Sequence, residues 1–267
     1  MTVSAEFDAV LSVQRRVWRK SMMTMAVLAI VLAGCCHYAG LFDAERLADG
    51  IPSLVTLVTE MFPPDFSQLK NWIGPLTDTL AMSVAGTAIA VILSVPLGVL
   101  AARNTSPNPV VFHLCRGLLN GLRSIPELIM GIVFVAAVGF GALPGVLALA
   151  FHSVGMVAKF FAESIEHVDP APVQAAKAAG CSPLQVIIHG IFPQVFPQMA
   201  DTAIYRWEYN FRASTVMGMV GAGGIGFELI GSLRIMQYQE VSAILIVILL
   251  MVTIVDAFSS WLRKKTQ

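Results

Sequence analysis

Four charged side chains stand close together in an otherwise apolar stretch: Asp201, Arg206, Glu208 and Arg212, in the run Asp201-Thr202-Ala203-Ile204-Tyr205-Arg206-Trp207-Glu208-Tyr209-Asn210-Phe211-Arg212. A charge that faces lipid is costly, so such groups turn toward a bundle interior or a pathway. At about 100° per residue, Asp201, Glu208 and Arg212 share one helical face with Tyr205 beside them, and Arg206 and Asn210 form a second stripe. Two chemistries fit. One is a self-neutralising network, with Glu208 and Arg212 paired four residues apart in the favourable order. The other is a path that offers guanidinium groups to an anion. The two overlap, since Glu208 can hold an arginine until an anion competes for it. A third possibility is a helix that starts later and leaves these charges at the membrane interface.

The second chemically suggestive string is Gly221-Ala222-Gly223-Gly224-Ile225-Gly226, which fits the dinucleotide pattern G-x-G-x-x-G. That pattern works only as a strand–turn–helix within a βαβ unit. Here an apolar run follows and leaves no room for such a domain. The chain also has no G-x-x-x-x-G-K-[ST], so it carries no P-loop. Arg123-Ser124-Ile125-Pro126-Glu127 reads as a helix start, with proline in the first turn and an acid favoured by the dipole, or as an inner gate. The five histidines and four cysteines (Cys35, Cys36, Cys115, Cys181) form no metal-ligand or disulfide spacing. No Ser/His/Asp, Cys/His or paired-carboxylate arrangement supports catalysis. The expectation is no catalytic residue, no metal and no cofactor bound by this chain.

The elements that carry these residues follow from composition. Apolar residues make up 56% and charged residues 13%, against roughly 25% charged in soluble domains. The excess apolar surface requires a bilayer. Six runs are long enough to cross one: Met22–Leu41, Leu76–Ala102, Ile125–Phe140, Pro144–Phe161, Gln194–Met217 and Val241–Phe258. Arg15, Arg16, Arg19 and Lys20 precede the first, and Arg263, Lys264 and Lys265 follow the last. Both ends are therefore expected in the cytoplasm. The first run exceeds a signal-peptide core and reads as a retained span. Backbone in lipid must be internally satisfied, so the spans are helices. The expected parts are a cytoplasmic tail over 1–20, a first span with its external loop over 21–75, and a transport domain over 76–262. An amphipathic helix is expected in the cytoplasmic segment 103–124.

The loop after the fourth span reads Pro172-Val173-Gln174-Ala175-Ala176-Lys177-Ala178-Ala179-Gly180-Cys181-Ser182-Pro183. Proline suits a first turn, the alanines favour helix, Gly180 suits a C-terminal cap, and Ser182-Pro183 starts a second helix. Pro193 is expected to end that helix before the fifth span. This is a helical hairpin on the cytoplasmic side.

Here the chain resembles the ABC importer permeases. Gln174-Ala175-Ala176, Gly180 and Gly190-Ile191-Phe192-Pro193 keep the spacing of that family's Glu-Ala-Ala motif. Gln174, Gly190 and Phe192 depart from its usual Glu, Ile and Leu. The string Tyr205-Arg206-Trp207-Glu208, the downstream Arg212 and the glycine run resemble, more narrowly, the phosphonate and phosphite importer permeases. So do Phe62-Pro63-Pro64-Asp65-Phe66, the Pro170-Ala171-Pro172-Val173 run and Gly190. The resemblance spans roughly residues 60 to 262.

It implies an all-α membrane protein with six transmembrane helices and a type I, MetI-like core, at the cell inner membrane. It implies a non-catalytic subunit moving a small phosphorus oxyanion, with ATP used by a separate ATPase. The implied partners are a second copy of the permease, two ATP-binding cassette subunits, a periplasmic substrate-binding protein and the lipid bilayer, with no nucleic acid. By the same resemblance, Gln174, Ala175, Ala176, Gly180 and Pro193 couple to the ATPase. Gly221, Gly223, Gly224 and Gly226 serve an external gate and packing loop, and Tyr205, Arg206, Glu208, Arg212 and Asp201 line the substrate path. On that reading Arg212→Ala abolishes uptake while assembly survives. An importer for methionine or another amino acid is the alternative; a membrane enzyme or nucleotide binder rests on the glycine string alone.

Overall fold

The computed structural model describes residues 2–266; the side chains of residues 2–13, Arg16 and Thr266 lie outside what it describes, and with them part of the basic flank expected before the first span. Among the described residues every regular element is helical. The chain divides into two compact units, Met1–Glu60 and Met61–Gln267.

The first unit holds α1 (Thr2–Tyr38) and α2 (Ala44–Glu60). Val17–Tyr38 is apolar and long enough to cross a bilayer. In α2, Leu47, Ile51, Leu54, Val55 and Val58 recur at helical spacing and none of its residues is buried, the pattern of a helix that lies in an interface.

The second unit begins with α3 (Leu69–Ala101), which starts ahead of the expected Leu76. It runs alongside α6 (Ala142–Glu166), and glycine sets their separation. A Cβ at Gly86 would lie 3.0 Å from Leu149 Cβ, and one at Gly98 would lie 2.8 Å from Phe161 Cβ. The contacts advance by the same interval along both helices, so α3 and α6 are parallel. That requires each to enter from the same side, as the six-span topology demands.

Between them, α4 (Pro109–Ser124) and α5 (Glu127–Val138) meet at an 87° bend. Asn108 caps α4 by accepting from Val111 N–H at 2.8 Å, with Pro109 in the first turn. The sequence placed the third span at Ile125–Phe140, but α5 has only 12 residues, about 18 Å against a core of about 30 Å. α4 and α5 reach spanning length only together, as a bent pair. Arg116 binds Glu166 at 3.0 Å at the C-terminal end of α6. Further along, a Cβ at Gly155 would sit 2.9 Å from both the Leu119 carbonyl oxygen and Arg123 N. α4 therefore packs along α6.

After α6 come α7 (Pro170–Ala178), the short α8 (Pro183–Gln185), a π turn (Val186–Ile191) and α9 (Phe192–Met217). Here the expectation for Pro193 is corrected: it does not end the helix. It lacks the N–H that an α turn would need, and the wider π turn just before it absorbs the missing bond. The second arm of the hairpin thus continues into the fifth span. α9 runs against α3, since Ser214 reaches the Thr79 carbonyl while Asn210 reaches Thr87 further along α3. A 3₁₀ turn (Gly218–Val220), α10 (Ile225–Arg234) and α11 (Tyr238–Thr266) complete the chain.

Among the described residues, four helices can cross a membrane by length and composition, and up to six spans result if each bent pair is one. The second bent pair joins Pro183–Val220 to Ile225–Arg234 at 44°. Buried Phe161, Ile165, Leu119 and Val195 belong to one core cluster of the unit. Met82, Leu149, Met130 and Met217 belong to a second.

Candidate functional site

The two stripes read on the fifth span are two different sites. Arg206 and Asn210 point into the bundle. Arg206 is 1% exposed, and Asn210 is fully buried. Arg206 Nε donates to Ser153 Oγ at 2.8 Å, and Ser153 donates to Asn210 Oδ1 at 3.0 Å. Asn210 Nδ2 donates to Thr87 Oγ1 at 2.9 Å. A chain of polar groups thus joins α9 to α6 and α3. Such a network at bilayer depth is stable only while its members are satisfied. Arg206 is incompletely satisfied. One arm, Nη1, touches the Met156 sulfur at 3.3 Å, and the guanidinium carbon lies 4.3 Å from the Tyr209 ring centroid. The other arm, Nη2, is buried with no hydrogen-bond acceptor.

Beyond Tyr209 the network reaches the break between α4 and α5. Tyr209 Oη donates to Glu127 Oε1 at 3.2 Å. Glu127 Oε2 is buried with no hydrogen-bond donor, and His152 Nε2 lies 3.7 Å from it. The other ring nitrogen, Nδ1, is 3.2 Å from the Ile125 carbonyl oxygen. A carbonyl only accepts, so Nδ1 carries a proton there. Sequence reasoning weighed Glu127 as a helix start or gate and found no ligand spacing for His152. Neither spacing nor periodicity joins them to Arg206. The one available signal was a histidine and a serine, His152-Ser153, in the middle of an apolar run.

The other stripe faces α11. Glu208 and Arg212 do pair, at 3.0 Å. Arg212 Nη1 also reaches Asp256 at 3.1 Å, and Arg263 reaches the second Glu208 oxygen at 2.7 Å. Among the described residues, two acids and two bases pair between α9 and α11. Asp201 is half-buried and stands apart from this cluster; Tyr205 is 47% exposed. The five residues read together in the sequence are therefore not brought to one place.

The hairpin has its expected caps. Asp169 Oδ1 accepts from Ala171 N–H at 2.9 Å. At the other end, Gly180 N–H donates to Lys177 O and Cys181 N–H to Ala176 O, with Gly180 at φ +80°. This pair of bonds is a Schellman cap, which glycine accepts without strain. Ser182 and Gln185 then form a reciprocal capping box. Gln174, Ala175 and Gly180 are exposed, and Ala176 is half-buried. Gly190, buried in the π turn, would place a Cβ 3.4 Å from Val173 Cα. Gln194 Oε1 accepts from Asp169 N–H at 3.0 Å and so ties the start of α7 to α9.

The glycine string packs, with no strand before it among the described residues. Gly221, Gly223 and Gly224 have φ of +95°, +75° and +74°. A Cβ at Gly224 would strike Thr79 Oγ1, which accepts the first N–H of α10, from Ile225, at 2.9 Å. A Cβ at Gly226 would collide with the Thr215 carbonyl.

Membrane-crossing helices, buried charge confined to interhelical contacts and a capped cytoplasm-type hairpin define a multi-pass transport permease. The chain belongs to the family described as binding-protein-dependent transport system inner membrane component, whose profile matches residues 94–267. It is 69% identical over 247 residues to the phosphite transport system permease protein PtxC of Stutzerimonas stutzeri, covering 92% of this chain and 90% of that one. It is 38% identical over 212 residues to the phosphate-import permease protein PhnE of Mycolicibacterium smegmatis, covering 79% of this chain and 40% of that longer one. The fold is similar to that of a chain in an inward-facing structure of the MetNI methionine ABC transporter, with a TM-score of 0.65 and 19% identity over 76% of this chain and 99% of that one. The expected all-α, MetI-like core is the observed one.

Proposed function

We propose that this chain is the membrane-embedded permease of an ATP-driven importer for a small phosphorus oxyanion, phosphite or a close analogue, at the cell inner membrane. The observation that carries this reading is the 69% identity, over nearly the whole of both chains, to a phosphite transport permease. A buried guanidinium with an unpaired arm suits an anionic cargo. It suits a thioether amino acid such as methionine poorly.

In this reading the chain binds no cofactor and hydrolyses nothing. Two ATP-binding cassette subunits each take one exposed hairpin face around Gln174, Ala175 and Gly180. Pro193 acts from behind, where the π turn joins hairpin to span. A second copy of the permease completes the path, and a periplasmic binding protein loads it from outside, near the Gly221–Gly226 loop. Both termini lie in the cytoplasm. Of the charged residues on α9, Arg206 belongs to the substrate path, and Glu208 and Arg212 hold α9 to α11.

The test is uptake of labelled phosphite in cells with and without this chain, in a strain lacking other phosphite systems. Loss of uptake on deletion, with competition by methylphosphonate but not by methionine, is the expected result. Unchanged phosphite uptake would remove this substrate class.

A further inference from the structure

Two buried polar atoms of opposite kind lack partners: a donor, Arg206 Nη2, and an acceptor, Glu127 Oε2, the latter at the start of α5. Tyr209 lies between them, with its ring against the guanidinium and its hydroxyl on the other Glu127 oxygen. His152 Nε2 lies 3.7 Å from Glu127 Oε2, beyond hydrogen-bond reach, so that carboxylate oxygen keeps an open acceptor site. Meanwhile α5 begins at this point, and the Ile129 and Met130 N–H groups both turn to the Pro126 carbonyl. The Glu127 and Leu128 N–H groups precede any intrahelical acceptor, so the positive end of the α5 dipole lies here too.

A fully ionised oxyanion would satisfy Arg206 and the helix end but would press a bare oxygen against Glu127. An anion with one P–O⁻ and one P–OH satisfies both sides. We propose that Arg206 and Glu127 form a subsite selective for the singly charged, singly protonated form of the oxyanion: Arg206 Nη2 donates to P–O⁻, and Glu127 Oε2 accepts from P–OH. This rests on the permease reading above and specifies its cargo. The groups that face the subsite are Arg206, Tyr205 and Tyr209 from α9, His152 from α6 and Glu127 from α5. Arg123, at the end of α4, is exposed.

Phosphite loses its second proton near neutral pH. Hypophosphite is a monoanion that has no P–OH. The experiment uses the complete transporter in liposomes, with saturating binding protein, and measures phosphite and hypophosphite transport across the second ionisation of phosphite. In the wild type, the phosphite-to-hypophosphite ratio falls as pH rises. Glu127→Gln puts an amide N–H₂ where the acceptor was. It lowers that ratio roughly tenfold at the acid end, the scale of one charge-assisted hydrogen bond, and makes it independent of pH. Arg206→Lys, which keeps a charge but not the second arm, lowers transport of both anions alike. A Glu127→Gln profile parallel to the wild type would overturn the subsite and leave the importer reading intact. A wild-type complex that hydrolyses ATP and moves neither anion would overturn both.

Discussion

Glu208 on α9 and Arg263 near the end of α11 are held 2.7 Å apart, while the other Glu208 oxygen takes Arg212. Glu208 is the hub, since both arginines reach it and its side chain is only 13% exposed. Glu208→Gln should lower stability by on the order of 1–3 kcal/mol, the range for hydrogen bonds to charged groups. The check is the melting temperature of the detergent-solubilised protein, expected to fall by several degrees and to recover in part in a Glu208→Arg/Arg263→Glu double variant.

Arg212→Ala tests the two readings of the α9 charges against each other. Read from the sequence alone, it should abolish uptake. In the structure Glu208 keeps Arg263 when Arg212 is gone, and Arg212 itself is 42% exposed. Uptake is expected to stay within about twofold of wild type, as for a partly exposed ion pair. Abolished uptake by a correctly inserted Arg212→Ala protein would return Arg212 to the substrate path.

Gly180 and Gly190 separate two kinds of damage to the hairpin. At Gly180 the surrounding space is open but φ is +80°, so Gly180→Leu costs about 1–2 kcal/mol through backbone strain alone. Gly180→Asn should be milder. At Gly190 the backbone is ordinary, and a side chain longer than alanine would drive α7 away from the π turn. Gly180→Leu and Gly190→Ile should both leave basal ATPase of the complex in place and lose its stimulation by loaded binding protein. Gly190→Ala should not. Stimulated ATPase and uptake measured in parallel decide it.

Two glycines of α10 form an internal control. Gly226→Ala should destabilise the protein by about 1–3 kcal/mol or more, as an overpacked core does, because its Cβ meets the Thr215 carbonyl. Gly231 has nothing within 4 Å. Gly231→Ala should be neutral or stabilise by roughly 0.5–1 kcal/mol through helix propensity. Chemical denaturation or thermal melts of the two variants side by side would show the difference.

Much of the fold was legible in the sequence because a bilayer imposes a length and a charge rule that leave long, one-dimensional signals. The caps of the hairpin were legible too, since Gly180, Ser182 and Pro183 each act on their own local backbone. So was the boundary between α4 and α5, since Pro126-Glu127 marks a helix start. The packing of α4 along α6 was not, because the contact at Gly155 is made between helices far apart in sequence. The continuation through Pro193 was missed for a related reason: a π turn has no residue signature, and its cause lies in the next turn. At the site, helical phase separated the two stripes of α9 correctly. Phase gives a direction but no partner, so Asp256, Arg263 and Ser153 stayed invisible until the neighbouring helices were in place.

The glycine contacts between α3 and α6 have a mechanical consequence. With Gly86 and Gly98 set so close to their neighbours, α3 and α6 pack side by side as a paired beam. α7 follows the C-terminal end of α6. Gln194 ties Asp169, the cap of α7, to α9. Two joints interrupt the helices beside that beam, the π turn at Val186–Ile191 and the 87° elbow before Glu127. The second joint carries the unpaired acceptor, so on the proposed reading any change in that bend would also move the subsite.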